Sequence, residues 1–471
     1  MNAATFVGAD VTETARALRA GAITSSALTE ASLERIAAHD GAINAFVLRD
    51  AAGALAAAKA ADTDFARGVD RGPMHGVPYA LKDIYDVAGL PTTCHSKLRI
   101  GEVAEVDSAV AAKFRAAGAV LLGKLGTFEF ALGGPSFDLP FPPARNPWNL
   151  TRQTGGSSAG SAAAIAAGYV AVAPGSCTTG SIRGPAAWCG AVGLKPTFGR
   201  VSRRGVFPLA WTLDHCGPLT RRVRDAAIAL TIMAGYDPED EGSVDTPVGD
   251  YLGALEKGVA GLRIGAPRHF YEASPQLTDA ARATILLAFA LLESEGARVH
   301  DVALSDYALY AGCGRVLMTA EAFAIHRRAL ARRFSDYGEI AARRFAIGAV
   351  VVAADYMDTL ALRKRLAQEV NARLEHVDVI VTAISLAPPP PLLEPGTSLG
   401  AAPLQASPWN VTGHPAVSVP MGLDAEGLPL AVQIVGRRFD EATVLRVARA
   451  LERASGWETI ALPLLSAAPL P

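Results

Sequence analysis

The chain has 471 residues, half of them hydrophobic, with 44 Lys/Arg against 46 Asp/Glu and a formal net charge of −2. That length can bury a large core, and near-neutrality without a basic block excludes nucleic acid or an anionic membrane surface as the expected partner. Five widely spaced cysteines (Cys94, Cys177, Cys189, Cys216, Cys313) form no Cys-x-x-Cys and no Cys/His zinc spacing. This predicts buried free thiols in a reducing compartment and no metal.

In chain order, the first ten residues lack the basic and apolar regions of a signal peptide. No window reaches the roughly 18 apolar residues of a membrane span, so a cytoplasmic location is expected. Val11–Ala20 and Ala27–Ala38 read as helices, separated by Gly21 and a Thr24-Ser25-Ser26 cap region. Alanine-rich Ala51–Asp62 is a third. These helices could form an outer layer or a homodimer surface. Tyr79–Leu81 reads as a strand ending in Lys82-Asp83, and a lysine there ordinarily snorkels into solvent. Ser108–Ala117 predicts a helix and Ala119–Leu122 a strand; helix and strand in alternation predict an α/β fold with largely parallel pairing. Residues 128–147, rich in Gly and Pro, form a long irregular stretch of the kind that lines a site.

Two Gly/Ser/Thr clusters follow, Gly155–Ser161 and Gly175–Ser181, around a helix from Ser158 to Gly168 and a strand Tyr169–Ala173. Such clusters are usually turns or linkers, but a linker is not followed by ordered apolar sequence such as Cys189–Leu194. Neither cluster is a phosphate-binding loop, since Gly-Lys-Ser/Thr and Gly-x-Gly-x-x-Gly are absent. Beyond them, Val223–Ala234 and Thr278–Ser294 predict helices, and Leu262–Ala266 and Ala297–Val302 predict strands. Residues 305–375 are mostly helical, Val377–Thr382 is a strand, and Pro388–Pro391 a stiff connector. Ala416–Pro420 and Leu430–Val435 are strands, and Asp440–Ala454 a closing helix.

The segment 155–199 resembles the amidase signature family. The matching runs are Gly-Gly-Ser-Ser-Ala-Gly-Ser at 155–161, Gly-Ser-Ile-Arg at 180–183, Pro-Ala-Ala at 185–187, and the fourteen residues from Cys189 to Ser202. The likeness continues at 76–83, 410–420 and 433–440, so it spans most of the chain. It implies one large α/β domain over 1–471: a central mixed, mostly parallel twisted sheet with helices on both faces, its motifs at 76–83 and 410–440 in one sheet. The signature core would cover about residues 72–220, and a variable, pocket-shaping region about 305–375.

The resemblance also implies the chemistry. A Ser-His-Asp triad finds no Gly-x-Ser-x-Gly elbow here, and His75, His215 and His414 read as structural. The family's arrangement puts Ser181 as nucleophile, Ser157 as proton relay with a cis bond to Gly156, and Lys82 as base. No cofactor is implied. For Lys82 to accept a proton, burial without an acidic partner must depress its pKa, and strand alternation turns Asp83 to the opposite face. Backbone N–H groups of Thr178, Thr179, Gly180 and Ser181 would form the oxyanion site. Ala131 and Leu132 would present carbonyls to the substrate amide, and Ser158 and Arg183 are further substrate-contact candidates. Arg183 reads more readily as a brace for the loop, because a guanidinium carries five donors.

The sequence departs from the family in the nucleophile loop: Cys177 stands for an aspartate and Thr179 for a glycine. A thiol accepts hydrogen bonds poorly and threonine resists positive φ, so shifted specificity or reduced activity is expected. The resemblance favours a free-standing amidase that cleaves a small carboxamide through an acyl-serine. The alternative is the glutamine-hydrolysing member of a tRNA-dependent amidotransferase. Against it stand Gly184, where that protein has glutamine, and the run Thr127–Gly133, which departs from its Met-Asp-Glu-Phe-Ala-Met-Gly pattern. A catalytically impaired binding protein is the third reading, opposed by the presence of Lys82, Ser157 and Ser181 together.

Overall fold

A computed structural model describes residues 2–392 and 402–463. The strands are β1 (Phe46–Arg49), β2 (Pro78–Lys82), β3 (Val120–Leu125), β4 (Arg145–Asn146), β5 (Asn149–Gln153), β6 (Val172–Cys177), β7 (Val192–Lys195), β8 (His215–Thr220), β9 (Arg263–Ala266), β10 (Arg298–Asp301), β11 (Val379–Ala383), β12 (Ala416–Leu423) and β13 (Pro429–Gly436). The helices are α1 (Val11–Arg19), α2 (Ser25–Ile43), α3 (Ala51–Ala66), α4 (Ala109–Ala116), α5 (Ala159–Ala166), α6 (Arg183–Cys189), α7 (Val223–Met233), α8 (Asp279–Ser294), α9 (Tyr307–Arg333), α10 (Glu339–Ala346), α11 (Ala353–His376), α12 (Ser407–Val411) and α13 (Glu441–Ala454). Helix starts follow capping chemistry. The side chains of Asp10, Thr24, Ser108, Thr278 and Asp440 each accept an N–H of the first turn of α1, α2, α4, α8 and α13.

Eight strands form one mixed sheet in the order β10-β9-β11-β13-β12-β7-β8-β6. Parallel pairing is confined to the β10-β9-β11 end. From β11 through β6 every pairing is antiparallel. The motif at 76–83 is not on this sheet. It forms β2 of a separate three-stranded sheet, β1-β3-β2, whereas 410–440 supplies β12 and β13 of the large one. Side chains join the two: Tyr85 Oη donates to Gly175 O at 2.5 Å, and Lys82 reaches Ser176.

The strand expected at Tyr169–Ala173 begins later, at Val172, and runs to Cys177 through residues that read as loop. Pro174 is tolerated because β6 is the edge of the ladder. Gly175 serves close packing here, since a Cβ on it would fall 2.6 Å from Ser158 Oγ. Ser176 and Cys177 are thereby held on a strand. The helix α9, with its 3-10 extension to Asp336, is long and apolar enough by composition to cross a membrane, although Arg315 and Glu321 interrupt its apolar run. It nevertheless buries Cys313, Leu317, Ala322 and Leu330 in the core.

Candidate active site

Lys82 closes β2, and its side chain has no solvent exposure. Its ammonium contacts two hydroxyls, Ser157 Oγ at 2.7 Å and Ser176 Oγ at 2.9 Å. Burial lowers its pKa to about 7, against the pull of Cys177 and Asp214 nearby. Asp83 points the other way, as strand alternation requires, and pairs with Lys124 Nζ at 3.0 Å. The neighbouring carboxylate is thus spent on another cation, which leaves Lys82 free to be neutral.

Ser157 sits just before α5, and the Gly156–Ser157 peptide is cis. Position 156 has room only for glycine, because a Cβ there would lie 2.2 Å from the Phe128 ring. The eight residues of α5 are all buried. Ser181 lies on the turn between β6 and α6, where Ser158 N donates to its carbonyl at 3.2 Å. Ser157, Thr179, Gly180 and Ser181 all line one cavity of about 690 Å³. The structure brings Lys82 and Ser157 into a hydrogen bond and sets Ser157 and Ser181 on the same wall. Among the described residues, the Ser181 hydroxyl has no hydrogen-bond partner.

Among the described residues, the N–H groups of Thr179, Gly180 and Ser181 donate to no backbone carbonyl, so they remain available to a ligand in the cavity. Thr178 does not line the cavity; its hydroxyl donates to Asp214 Oδ1 at 2.6 Å. The concern over Thr179 dissolves, because positive φ falls on Gly180 (143°) and not on Thr179. Ala131 and Leu132 line the cavity, and their carbonyls accept no backbone hydrogen bond among the described residues.

Two other substrate-contact candidates, Ser158 and Arg183, do not line the cavity. Ser158 is buried behind Ser157 and exchanges hydrogen bonds with the Ser176 backbone, both at 3.3 Å. Arg183 is also buried and braces the loop: it donates to Gln433 Oε1 at 2.9 Å, to Ala406 O at 2.9 Å and to Asn410 Oδ1. The three histidines make packing and hydrogen-bond contacts away from the cavity lining. His75 packs beside Asp64 and Phe65, His215 Nδ1 donates to Leu213 O, and His414 bonds Asn371. The five cysteines are buried and free.

Sequence signals do not mark Ser176, the second hydroxyl on Lys82, because Gly175-Ser176 carries turn composition while sitting on β6. Nor do they mark Arg315 and Arg344, which line the cavity beside Met318, Thr319 and Ile347. Arg315, Met318 and Thr319 occupy one face of α9 at i, i+3 and i+4. Gly314 approaches the Thr179 methyl, and Met318 Sδ accepts the Thr179 hydroxyl at 3.9 Å, so this face lies against the Thr178–Ser181 loop. Neither arginine forms an ion pair among the described residues, and burial, helped by Arg315, lowers the pKa of Arg344. No periodic or motif signal marks them; only the fold brings α9 and α10 over the loop.

Known proteins share this arrangement. A model of the family described as Amidase matches residues 27–445. The A component of glutamyl-tRNA(Gln) amidotransferase from Anaeromyxobacter sp. (strain K) is 40% identical over 476 residues, covering 94% of this chain and 96% of the relative. An inhibitor-bound structure described as a vestigial protein complex revealing the origins of an s-triazine catabolic enzyme superposes with TM-score 0.89 at 33% identity, covering 94% and 98% of the two chains. Native peptide amidase from Stenotrophomonas maltophilia gives TM-score 0.85 at 30% identity, covering 98% and 100%.

Proposed function

This chain belongs to the amidase family and is a hydrolytic, amide-cleaving enzyme; from that premise we propose that it hydrolyses a small carboxamide bearing an anionic group, through an acyl intermediate on Ser181. The observation that carries the mechanism is a fully buried Lys82 held between two serine hydroxyls with its neighbouring carboxylate paired elsewhere. A neutral lysine there can take a proton from Ser157 as Ser157 takes one from Ser181, leaving the Ser181 oxygen to attack the carbonyl carbon. The N–H groups of Thr179, Gly180 and Ser181 would receive the charge that develops on the carbonyl oxygen. When the C–N bond breaks, the relay returns a proton to the leaving nitrogen. Water then attacks the acyl-serine by the same relay, releasing the acid and restoring Ser181. A soluble cytoplasmic setting fits this reading.

Two observations support the anionic substrate. Arg315 and Arg344 face the cavity without acidic partners among the described residues, and the wall they share contacts the nucleophile loop. A charged hydrogen bond contributes about 1.5–3 kcal/mol, roughly 10- to 100-fold in affinity. Succinamate should therefore be hydrolysed in preference to butyramide, and Arg315→Ala with Arg344→Ala should erase the preference by raising KM. Equal rates on both amides in the unaltered enzyme would remove the anionic reading.

The nucleophile is tested with a fluorophosphonate probe and mass mapping. Label should fall on Ser181, and Ser181→Ala should take none; label elsewhere, or none in folded protein, refutes the assignment. The amidotransferase relatives are each one component of a larger enzyme, which supports a second reading, action within a hetero-complex and not as a homodimer. Co-purification of a tagged chain from its native host distinguishes the two.

A further inference from the structure

Arg183 is buried, and among the described residues no carboxylate touches it. Its donors go to an amide oxygen of Gln433, one of Asn410, the Ala406 carbonyl and Cys177 Sγ at 3.8 Å. A buried charge without a counter-ion is costly, so the cluster needs an anion. Among the described residues, Cys177 is the one acidic group whose side chain hydrogen-bonds the guanidinium. It stands at the end of β6, where its Sγ also receives the Ile182 N–H. Around it lie Lys195 on β7, His215 on β8 and Lys82 on β2, with the Tyr307 hydroxyl on α9 near Arg183; the other acids of the cluster face those cations and the loop, Glu441 toward Lys195 and Asp214 toward Lys82 and the Thr178 hydroxyl.

We propose that Cys177 is a thiolate, the buried counter-ion of Arg183, and acts as a positioning residue that fixes the Thr178–Ser181 loop and sets the charge felt by Lys82. The cysteine thus supplies the negative charge an aspartate would bring. The alternative is a neutral thiol donating to Asn410 Oδ1, 3.6 Å away. The directions of the pKa shifts agree with the thiolate. Burial acts to raise the Cys177 value, but Arg183 and the Ile182 N–H bring it below the ordinary thiol value, whereas burial raises Cys94, Cys189, Cys216 and Cys313. The influence on Lys82 rests on its proposed role as base; the thiolate itself does not.

The test has two independent parts. Native enzyme at neutral pH should show the far-ultraviolet absorbance of one thiolate, insensitive to iodoacetamide and lost on acid titration. Cys177→Ser should lack it, with Cys177→Asp as a charge-preserving second variant. The pH profile of fluorophosphonate labelling then reads the effect on Lys82. An anion nearby favours protonated Lys82, so Cys177→Ser should move the acid limb to lower pH while Cys177→Asp leaves it in place. A merely structural role would slow labelling without moving the limb. Absence of the thiolate band in the unaltered enzyme overturns the proposal whatever the labelling shows. A band with an unmoved limb overturns the link to Lys82.

Discussion

Lys82 is suited to accept a proton because three local facts coincide. It is fully buried, its two partners are hydroxyls, and Asp83 turns away to Lys124. Each follows from β2 being a strand buried on both faces. The value of about 7 makes a prediction with a definite sign. In the proposed mechanism the working form is the neutral amine, so the rate of fluorophosphonate labelling should rise through pH 7 and level off above it; a profile flat from pH 5 to 9 would sink Lys82 as the base. Stability moves the same way. Between about 7 and the ordinary 10.5 the unfolded chain binds a proton the folded one does not, so the lysine's contribution grows as pH rises through that window and is lost as pH falls through 7. Replacing Lys82 with Met should lower the labelling rate by about 10²- to 10⁴-fold, the usual range for a positioned base.

At the scale of elements, α5 shows what the sequence could and could not say. Its start, its stop at Gly168 and its apolar character were legible from Ser158, the alanine run and the glycine. Its small residues have a reason visible only in three dimensions. A Cβ on Gly160 would lie 2.4 Å from both Ala45 O and Gly126 N, backbone atoms that cannot rotate aside. Gly160→Ala should therefore push α5 off the β1–β3 sheet, costing about 3 kcal/mol by overpacking, and carry Ser157 away from Lys82. Urea denaturation should show the lost stability, and labelling should fall with it; an unchanged midpoint would mean the helix docks more loosely than its contacts indicate. Capping residues and hydrophobic runs made most helices and strands readable. The β6 boundary was not, because Pro174-Gly175-Ser176 carries turn composition while serving as an edge strand against a close neighbour. The sequence motifs that single out Lys82, Ser157 and Ser181 are local, and the fold brings Lys82 to Ser157 and sets Ser157 and Ser181 on one cavity. No local motif marks Arg315 and Arg344, because their place on the cavity depends on α9 and α10 crossing a loop more than a hundred residues earlier in the chain.

At the scale of the whole molecule, the sheet order sets a constraint on folding and on the site together. The last strands in sequence, β12 and β13, occupy the middle of the eight, between β7 and β11. Without them the β9–β11 end and the β6–β8 end have no ladder joining them. The C-terminal segment that carries β12 and β13 also supplies Asn410 and Gln433, the side chains that hold Arg183 behind the Thr178–Ser181 loop. Long-range pairing of this kind closes late and at high entropic cost. A chain ending at Ala406 should therefore lose more than a terminal piece: cooperative unfolding and Ser181 labelling should vanish together, although Lys82, Ser157 and Ser181 all remain. Supplying residues 407–471 as a separate polypeptide should restore both in proportion, because the missing strands form ladders on each side and need no covalent link to do so. A truncated chain that still unfolds sharply and takes the label would show that the three residues are organised by the β1–β3 sheet and α5 alone, and that the central strands serve stability without positioning the nucleophile.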